Sequence, residues 1–168
     1  SWDHVDNLLY SKENEKFSPD TLVNFKRAKE ISGIDILDFN EIHTYKFNSK
    51  TIIIDALFGT GLSRKLEGVH RKIVEDLKYI QCPKISIDIP SGMCADELND
   101  KDDMIFQADF TLTFQFWKKA FLHPEFGGFA GKVKVLDIRL SKEFIQNTIT
   151  NNFVIDDNLI SQIFKPRN

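Results

Sequence analysis

The sequence predicts an α/β domain with a mostly parallel sheet. Two short apolar runs rich in β-branched residues, Thr51 to Leu57 and Lys84 to Ile89, have the composition of buried strands, the first covered on both faces. Between them, Val69 to Ile80 carries apolar residues at the three- and four-residue spacing of a helix. Strands that alternate with helices are typical of a parallel sheet with helices packed on it.

A first helix is predicted to begin at Ser18-Pro19. A Ser at the N-cap accepts hydrogen bonds from free backbone amides, and Pro at the first helical position has no N–H to leave unpaired. Four apolar residues then form one helical face: Leu22, Phe25, Ala28 and Ile31. Gly33 follows them and is predicted as the stop, because Gly readily adopts the left-handed conformation found there.

The remaining elements are shorter. Four further strands are predicted at Val5 to Tyr10, Ile34 to Phe39, Asp109 to Phe114 and Val133 to Ile138. Pro90 is expected to stop the strand before it, and Asp156 to Phe164 predicts a helix that Pro166 would end. We therefore expect one domain over residues 1–150, followed by a connector helix over residues 151–168.

Composition excludes several classes of protein. A net charge of −3 and a pI near 5.8 give no electrostatic footprint for nucleic acid. No apolar run approaches the roughly 20 residues that span a bilayer, and no secretion signal is present. Cys82 and Cys94 have no metal-binding spacing and are predicted to be reduced, structural cysteines of a cytoplasmic protein.

The strand ends carry the first candidate site. Asp55 is followed by Ala56, Leu57, Phe58 and then Gly59-Thr60-Gly61. Ligands of open parallel sheets bind beyond the carboxyl ends of the strands, and glycines let the backbone approach a phosphate closely. A tight turn that binds no ligand explains the same residues, and taken alone it is the more favoured explanation.

The second candidate is Asp88, which is followed by Ile89-Pro90-Ser91-Gly92. A carboxylate held rigidly at the end of a buried strand could serve as an acid or base. It could equally cap its own loop by accepting backbone N–H groups. From the residues alone, the two interpretations are balanced.

The third candidate is Lys118, which lies among aromatic residues after a predicted strand. It could stabilise negative charge, or it could be a surface lysine packed along Phe and Trp. His123 is more simply a surface histidine than a catalyst, and His4, His43 and His70 are also expected at the surface. The fifteen Phe residues mostly lie in strand-like or amphipathic runs and are expected to fill the core.

Taken together, the segments resemble the N-terminal domain of the YjeF family, the NAD(P)H-hydrate epimerases. The matching text is IIIDALFGTGLSRKLEG, PKISIDIPSGMCAD and ADFTLTFQFWKKAFLHPEFGGFAGKVKVLDI, in order over roughly residues 17 to 145. FSPDTLVNFKRAKE resembles the family's preceding helix. The resemblance implies a three-layer α-β-α Rossmann-like sheet, and an enzyme that interconverts the R and S forms of hydrated NADH and NADPH.

The resemblance also implies roles for individual residues. Asp88 matches the Asp that contacts substrate and is the predicted acid/base, with an electrostatic role for Lys118. The substrate's phosphates and ribose are expected on the loop Gly59, Thr60, Gly61, Leu62, Ser63, Arg64 and Lys65. Asp55 and Ser91 match positions that hold a potassium ion, and a homodimer or larger homo-oligomer is expected.

One family motif is absent from the printed sequence. Members carry a loop of the NxGGDG type after their first strand, and residues 1–16 contain no Gly. We therefore expect an N-terminally incomplete sheet, with little activity and weak ligand binding if the chain stands alone. The tail resembles the connector to the dehydratase domain of bifunctional members. The alternative interpretation is a non-catalytic nucleotide-binding or scaffold member of the same fold.

Overall fold

The computed structural model describes residues 7–10, 17–152, 155, 160, 161, 163 and 164. Within these residues the strands form two sheets, and every strand pair is parallel. β1 (Asn7–Tyr10) pairs with β2 (Asp35–Asp38). The second sheet has the order β3 (Ile53–Asp55), β4 (Lys84–Ile87), β5 (Phe110–Phe114) and β6 (Lys132–Leu136). The predicted α/β, Rossmann-like class with parallel strands is confirmed.

The first helix, α1 (Pro19–Glu30), begins where the sequence predicts. Ser18 Oγ accepts a hydrogen bond from the backbone N–H of Thr21 at 3.2 Å. The helix ends at Glu30, and its C-cap is Ile31 in an extended conformation, two residues before Gly33. The prediction that Gly33 caps the helix is therefore wrong; with φ of +88° it shapes the turn into β2.

The second predicted helix is present as α2 (Gly68–Lys78), whose Ile73 and Val74 are buried. A third helix, α3 (Lys142–Asn147), and three 3₁₀ helices (Phe39–Thr44, Lys119–Leu122 and Gly127–Ala130) were not predicted. Segments of four to six residues are too short to display a helical period, so the pattern that reveals α1 and α2 is missing from them.

Strands β2 to β6 are shorter than predicted at one or both ends, whereas the predicted start of β1 lies outside the described residues. β4 stops at Ile87, before Pro90, because Asp88 already has a φ of +68°. A residue in the left-handed region leaves the extended path, so the ladder ends there.

Two clusters of buried apolar side chains form the core. The first joins α2 to β3 and to the 3₁₀ helix after β2, and the second lies beneath the loops that follow β4 and β5. The members of the first are Phe39, Ile42, Ile53, Leu66, Ile73, Val74, Phe106 and Ala108. Those of the second are Ile89, Met93, Ala95, Ile105, Ala120, Phe121, Phe126 and Ala130.

Burial of the first apolar run differs between its two faces. Ile53 and Asp55 are buried, whereas Ile52 and Ile54 are 52% and 53% exposed. Successive side chains of a strand point to opposite faces of the sheet. The expectation that both faces of this strand are covered is therefore wrong for the described part of the chain.

Further sequence predictions concern the surface and the tail. Within the described ranges, no helix is long and apolar enough to cross a membrane. Cys82 and Cys94 are free thiols. The described residues do not include His4 or Val5. They include only part of the helix predicted over Asp156 to Phe164, in which Ile160, Ser161 and Ile163 are helical.

Candidate active site

The three predicted chemical groups lie at one edge of the four-stranded sheet. Asp55 is the last residue of β3, Asp88 directly follows β4, and Lys118 lies four residues after β5. Because β3, β4 and β5 are adjacent and parallel, their carboxyl ends share this edge. This is where open parallel sheets bind ligands.

Asp88 is held in an unusual backbone conformation. Its φ of +68° is uncommon for a residue with a side chain, although Asp tolerates it better than most. Its backbone N–H donates to the carbonyl of Leu112 at 2.8 Å, and the N–H of Ile89 turns back to Ile87 at 2.9 Å. Left-handed residues outside glycine cluster at functional sites, where the surrounding structure holds them in place.

The Asp88 carboxylate is bound through one oxygen. Oδ1 accepts from the backbone N–H of Phe114 at 3.2 Å and from the Thr113 hydroxyl at 3.5 Å, and it lies 3.2 Å from Lys118 Nζ. No donor among the described residues reaches Oδ2. The two oxygens of this carboxylate are therefore inequivalent.

Lys118 is held in place as firmly as its partner. Its ammonium donates to the carbonyls of Phe114 at 2.9 Å and Phe116 at 3.2 Å, in addition to the Asp88 contact. Gln115, with a φ of +61°, turns the chain sharply after β5 and so brings Lys118 back over the strand end. The Lys118 and Asp88 side chains are 14% and 15% exposed, so this is a largely buried ion pair.

Asp55 is more deeply buried, and protein donors surround it. Oδ1 accepts from the Ser91 hydroxyl at 2.5 Å and the N–H of Leu57 at 3.4 Å. Oδ2 accepts from the N–H of Ser91 at 2.8 Å and the Ser86 hydroxyl at 3.1 Å. Burial raises the pKa of Asp55 above its ordinary value, and the hydrogen bonds from Ser91, Leu57 and Ser86 only partly oppose that effect.

These contacts test the predicted cation site. A carboxylate offers about four lone-pair directions, and Asp55 already accepts four hydrogen bonds. Asp55 and Ser91 lie together as predicted, but the pair does not by itself fit a hard cation, which takes about six or more oxygen ligands. Within the described residues, no group of three or more His, Cys, Asp or Glu side chains is arranged to hold a metal.

The glycine-bearing loop is mostly exposed, and two apolar side chains anchor it to the core. Leu62 packs against the first core cluster and Leu66 belongs to it, whereas Gly59 to Gly61 and Ser63 to Lys65 are exposed. The N–H of Leu62 donates to the Gly59 carbonyl at 3.3 Å and closes a tight turn. The loop therefore presents backbone to solvent beside the strand ends.

Lys65 fastens this loop to the loop that follows β4. Its ammonium lies 2.7 Å from an Asp100 carboxylate oxygen and 3.3 Å from Asp103 Oδ1. Hydrogen bonds from Lys65 to Asp100 and Asp103 raise the pKa of the lysine. Burial alone would raise the pKa of Asp103, but hydrogen bonds from Asn99, the Asp100 N–H and Lys65 outweigh it and hold that pKa below its ordinary value.

The chain matches a known protein family over most of its length. The profile described as YjeF-related protein N-terminus matches residues 3–120, which is more than half of the chain. The chain belongs to this family. The match includes the strand ends of β3, β4 and β5, so it covers Asp55, Asp88, Ser91 and Lys118.

Curated relatives of this YjeF-type chain carry related names. An NAD(P)H-hydrate epimerase of Rhodopirellula baltica is 31% identical over 140 residues, covering 83% of the chain and 57% of the relative. A bifunctional NAD(P)H-hydrate repair enzyme of Thermofilum pendens is 49% identical over 63 residues, 38% of the chain and 12% of the relative. An epimerase of Elusimicrobium minutum is 35% identical over 94 residues, 56% of the chain and 41% of the relative. The chain spans little more than half the length of the relative that it covers best among these three.

The YjeF-type site also contains a residue that was not predicted from the sequence. Thr113 is fully buried, and its hydroxyl faces Asp88 Oδ1. The alternation in β5 (FTLTF) places Thr111 and Thr113 on the same face, and both are fully buried. Two hydroxyls on the buried face of a strand were the signal that could have identified Thr113.

A cavity of about 560 Å³ adjoins Lys118. Its lining includes Trp117, Lys119 and His123 from the segment after β5, and Asp96 and Glu97 from the segment after β4. His123 stacks on Phe126 with ring centroids 5.6 Å apart. His70 is only half-exposed and its ring contacts Phe39 and Phe58, so the prediction of a simple surface position is wrong for it.

Proposed function

We propose that this chain carries the acid/base part of a site that interconverts the R and S forms of hydrated NADH and NADPH. The observation that supports this best is the Asp88 carboxylate, which Lys118 and the Phe114 N–H hold by one oxygen at the end of a parallel strand. The relatives named NAD(P)H-hydrate epimerase support the choice of substrate.

The proposed reaction requires one proton to move in each direction. The hydrate carries a hydroxyl on the ring carbon next to the nicotinamide nitrogen, whose lone pair can expel that hydroxyl. Asp88 in its acid form donates a proton, the hydroxyl leaves as water, and a planar iminium remains. Water that adds to the opposite face returns its proton to the Asp88 carboxylate, so the epimer forms with no net change in the protein.

Other residues bind and orient in this proposal. Lys118 fixes Asp88 Oδ1 and balances the negative charge of the carboxylate that forms when the proton leaves. The exposed backbone of Gly59, Thr60 and Gly61 faces solvent and would receive the phosphates and ribose, with Leu62, Ser63 and Arg64 beside it. Lys65 would act mainly by fastening this loop through Asp100 and Asp103.

Potassium is the remaining part of the proposal. Asp55 and Ser91 would contribute oxygens only if the Ser91 hydroxyl turned its proton away from Asp55, and further ligands would have to come from other residues. No step described above depends on the ion. A cytoplasmic location, a homo-oligomeric state and the absence of nucleic-acid and membrane partners stay predictions.

The experiment compares equilibration rates with a matched control. Pure S hydrate of NADH is mixed with the chain, and the R form is followed by chromatography against a protein-free blank. Asp88→Asn keeps the shape of the side chain and tolerates the left-handed backbone, but it cannot exchange the proton. We expect it to lose roughly 100-fold or more of the acceleration, since positioned acid/base groups contribute about that much.

The control is Asp102→Asn, which removes a carboxylate from an exposed residue of the loop after β4. It is expected to keep the wild-type rate. All rates are measured at high protein concentration, so that a loss of roughly 100-fold can be resolved from the protein-free blank. Hydrate binding with no acceleration would instead support the non-catalytic member of the family, and folded Asp88→Asn with full acceleration would remove Asp88 from the mechanism.

A further inference from the structure

We infer that Gly59 keeps open the space in front of Asp88 Oδ2 in which the reacting hydroxyl of the hydrate binds. This inference rests on the proposed function and assigns to one glycine of the loop a task separate from holding phosphates. A Cβ placed on Gly59 would lie 3.4 Å from Asp88 Oδ2. The glycine loop and the free oxygen of the carboxylate therefore face each other directly.

The asymmetry of the carboxylate decides where its proton resides. Oδ1 accepts from Phe114 and Thr113 and contacts the Lys118 ammonium. A proton on Oδ1 would be directed against these three donors, whereas a proton on Oδ2 meets none of them among the described residues. The acid form of Asp88 therefore carries its proton on Oδ2, on the side of Gly59.

Distance restricts what can stand in that space. A group that exchanges a proton with Oδ2 must approach it to about 2.6–3.2 Å. A methyl carbon on residue 59, at 3.4 Å from the same oxygen, would occupy the approach on that side. The Asp88 side chain is 15% exposed and Gly59 is exposed, so both residues that border this space reach the surface.

The backbone of Gly59 does not explain why a glycine is present. Its φ is not in the left-handed region, and a contact at 3.4 Å is ordinary van der Waals packing. Gly128, which lies in the 3₁₀ helix Gly127–Ala130, also has no left-handed φ, and a Cβ there would meet nothing within 4 Å. Gly59→Ala and Gly128→Ala are therefore matched variants that should both fold, and only the first fills the space beside Oδ2.

The test compares two ligands that differ at the reacting carbon. Dissociation constants for hydrated NADH and for NADH, which has no hydroxyl at that position, are measured by NMR titration of the wild-type chain and both variants. Gly59→Ala is expected to weaken hydrate binding by about tenfold and leave NADH binding within about twofold, which corresponds to roughly 1.4 kcal/mol of selective loss. It should also lower the equilibration rate by roughly 100-fold, because misplacement by about 1 Å has such effects.

Gly128→Ala is expected to match the wild type for both ligands and in rate, because Gly128 lies outside the proposed site. Equal effects of the two substitutions, or an equal loss of hydrate and NADH affinity in Gly59→Ala, would overturn the inference while leaving the proposed function in place. A wild-type chain that binds neither ligand and accelerates nothing would refute the proposed function, and this inference with it. Circular dichroism and the melting temperature establish that each variant is folded.

Discussion

The ion pair between Asp88 and Lys118 should be energetically coupled well beyond a surface pair. The perturbation is a double-mutant cycle with Asp88→Asn, Lys118→Met and the double variant. At 3.2 Å, two unit charges attract by about 5 kcal/mol if the effective dielectric constant is about 20. The cost of desolvating two side chains that are only 15% and 14% exposed offsets much of this attraction. We expect a coupling free energy of about 2 kcal/mol, between the values for exposed and fully buried pairs.

The two single substitutions should not be equivalent. Lys118→Met leaves the Asp88 carboxylate without its charge partner and removes the donor to the carbonyls of Phe114 and Phe116. It is expected to lower the free energy of unfolding by about 3 kcal/mol. Asp88→Asn should lower the free energy of unfolding by less, because Asn can still accept a hydrogen bond from the Phe114 N–H and tolerates a positive φ.

The assay is urea denaturation at neutral pH and low salt, with the free energy of unfolding extrapolated for each of the four proteins. The chain supplies its own control pair in Lys72 and Asp76, which are 2.9 Å apart but 72% and 40% exposed. That pair should couple by only about 0.3–0.5 kcal/mol. If the Asp88–Lys118 coupling were no larger than the control, burial would not strengthen this pair and the reasoning would be refuted.

Three further predictions follow from individual contacts. Because the pKa of Asp55 is raised in the folded protein, its contribution to stability is fully present below pH 3.8 and is lost as pH rises through the raised pKa; in urea titrations the wild type should therefore lose stability relative to Asp55→Asn as pH rises. The pKa of Asp103 is lowered, so its contribution should be lost as pH falls, and the wild type should lose stability relative to Asp103→Asn in that direction. If the stability difference between wild type and variant changed with pH in the same way for Asp55→Asn and Asp103→Asn, the opposite pKa shifts would be contradicted. Gly92→Ala should lower the free energy of unfolding by about 2–4 kcal/mol, because Gly92 has a φ of +92° and a Cβ there would clash with the Met104 carbonyl; unchanged stability would show that the loop can shift. If potassium binds at Asp55 and Ser91, KCl should raise the melting temperature above that in NaCl at equal ionic strength, and Ser91→Ala should abolish the difference; equal melting temperatures for the wild type would argue against the ion.

Much of the fold was predictable because its signals are local. The N-cap at Ser18, the apolar period of α2 and the β-branched strand of Ile53 each depend on residues within a few positions of one another. Errors occurred where the deciding contact was distant. The half-exposed Ile54 was such an error, because its burial depends on which elements pack on that face of the sheet. The end of α1 was missed for a local reason, since the N–H of the C-cap Ile31 already bonds to the Ala28 carbonyl.

The residues of the candidate site were predictable for a different reason. A parallel sheet brings the carboxyl ends of its strands to one edge, so Asp55, Asp88 and Lys118 could be placed together without coordinates. The hydrogen bonds that each of these side chains makes could not be predicted in this way. Asp55 proved to be saturated with hydrogen bonds from Ser86, Ser91 and Leu57, which leaves the cation site a prediction.

The sequence by itself determined the strand and helix alternation, the acidic residues at two strand ends and the membership of these motifs in one family. Only the tertiary structure decided that Lys118 and the Phe114 N–H hold Asp88 by Oδ1, and that Oδ2 is left facing Gly59. Local propensity depends on neighbouring residues and can be deduced from their order. The direction of the Asp88 carboxylate depends on the register of β4 with β5 and on the left-handed backbone at Asp88 and Gln115. Its hydrogen bond to the Phe114 N–H joins residues that are 26 positions apart in the sequence.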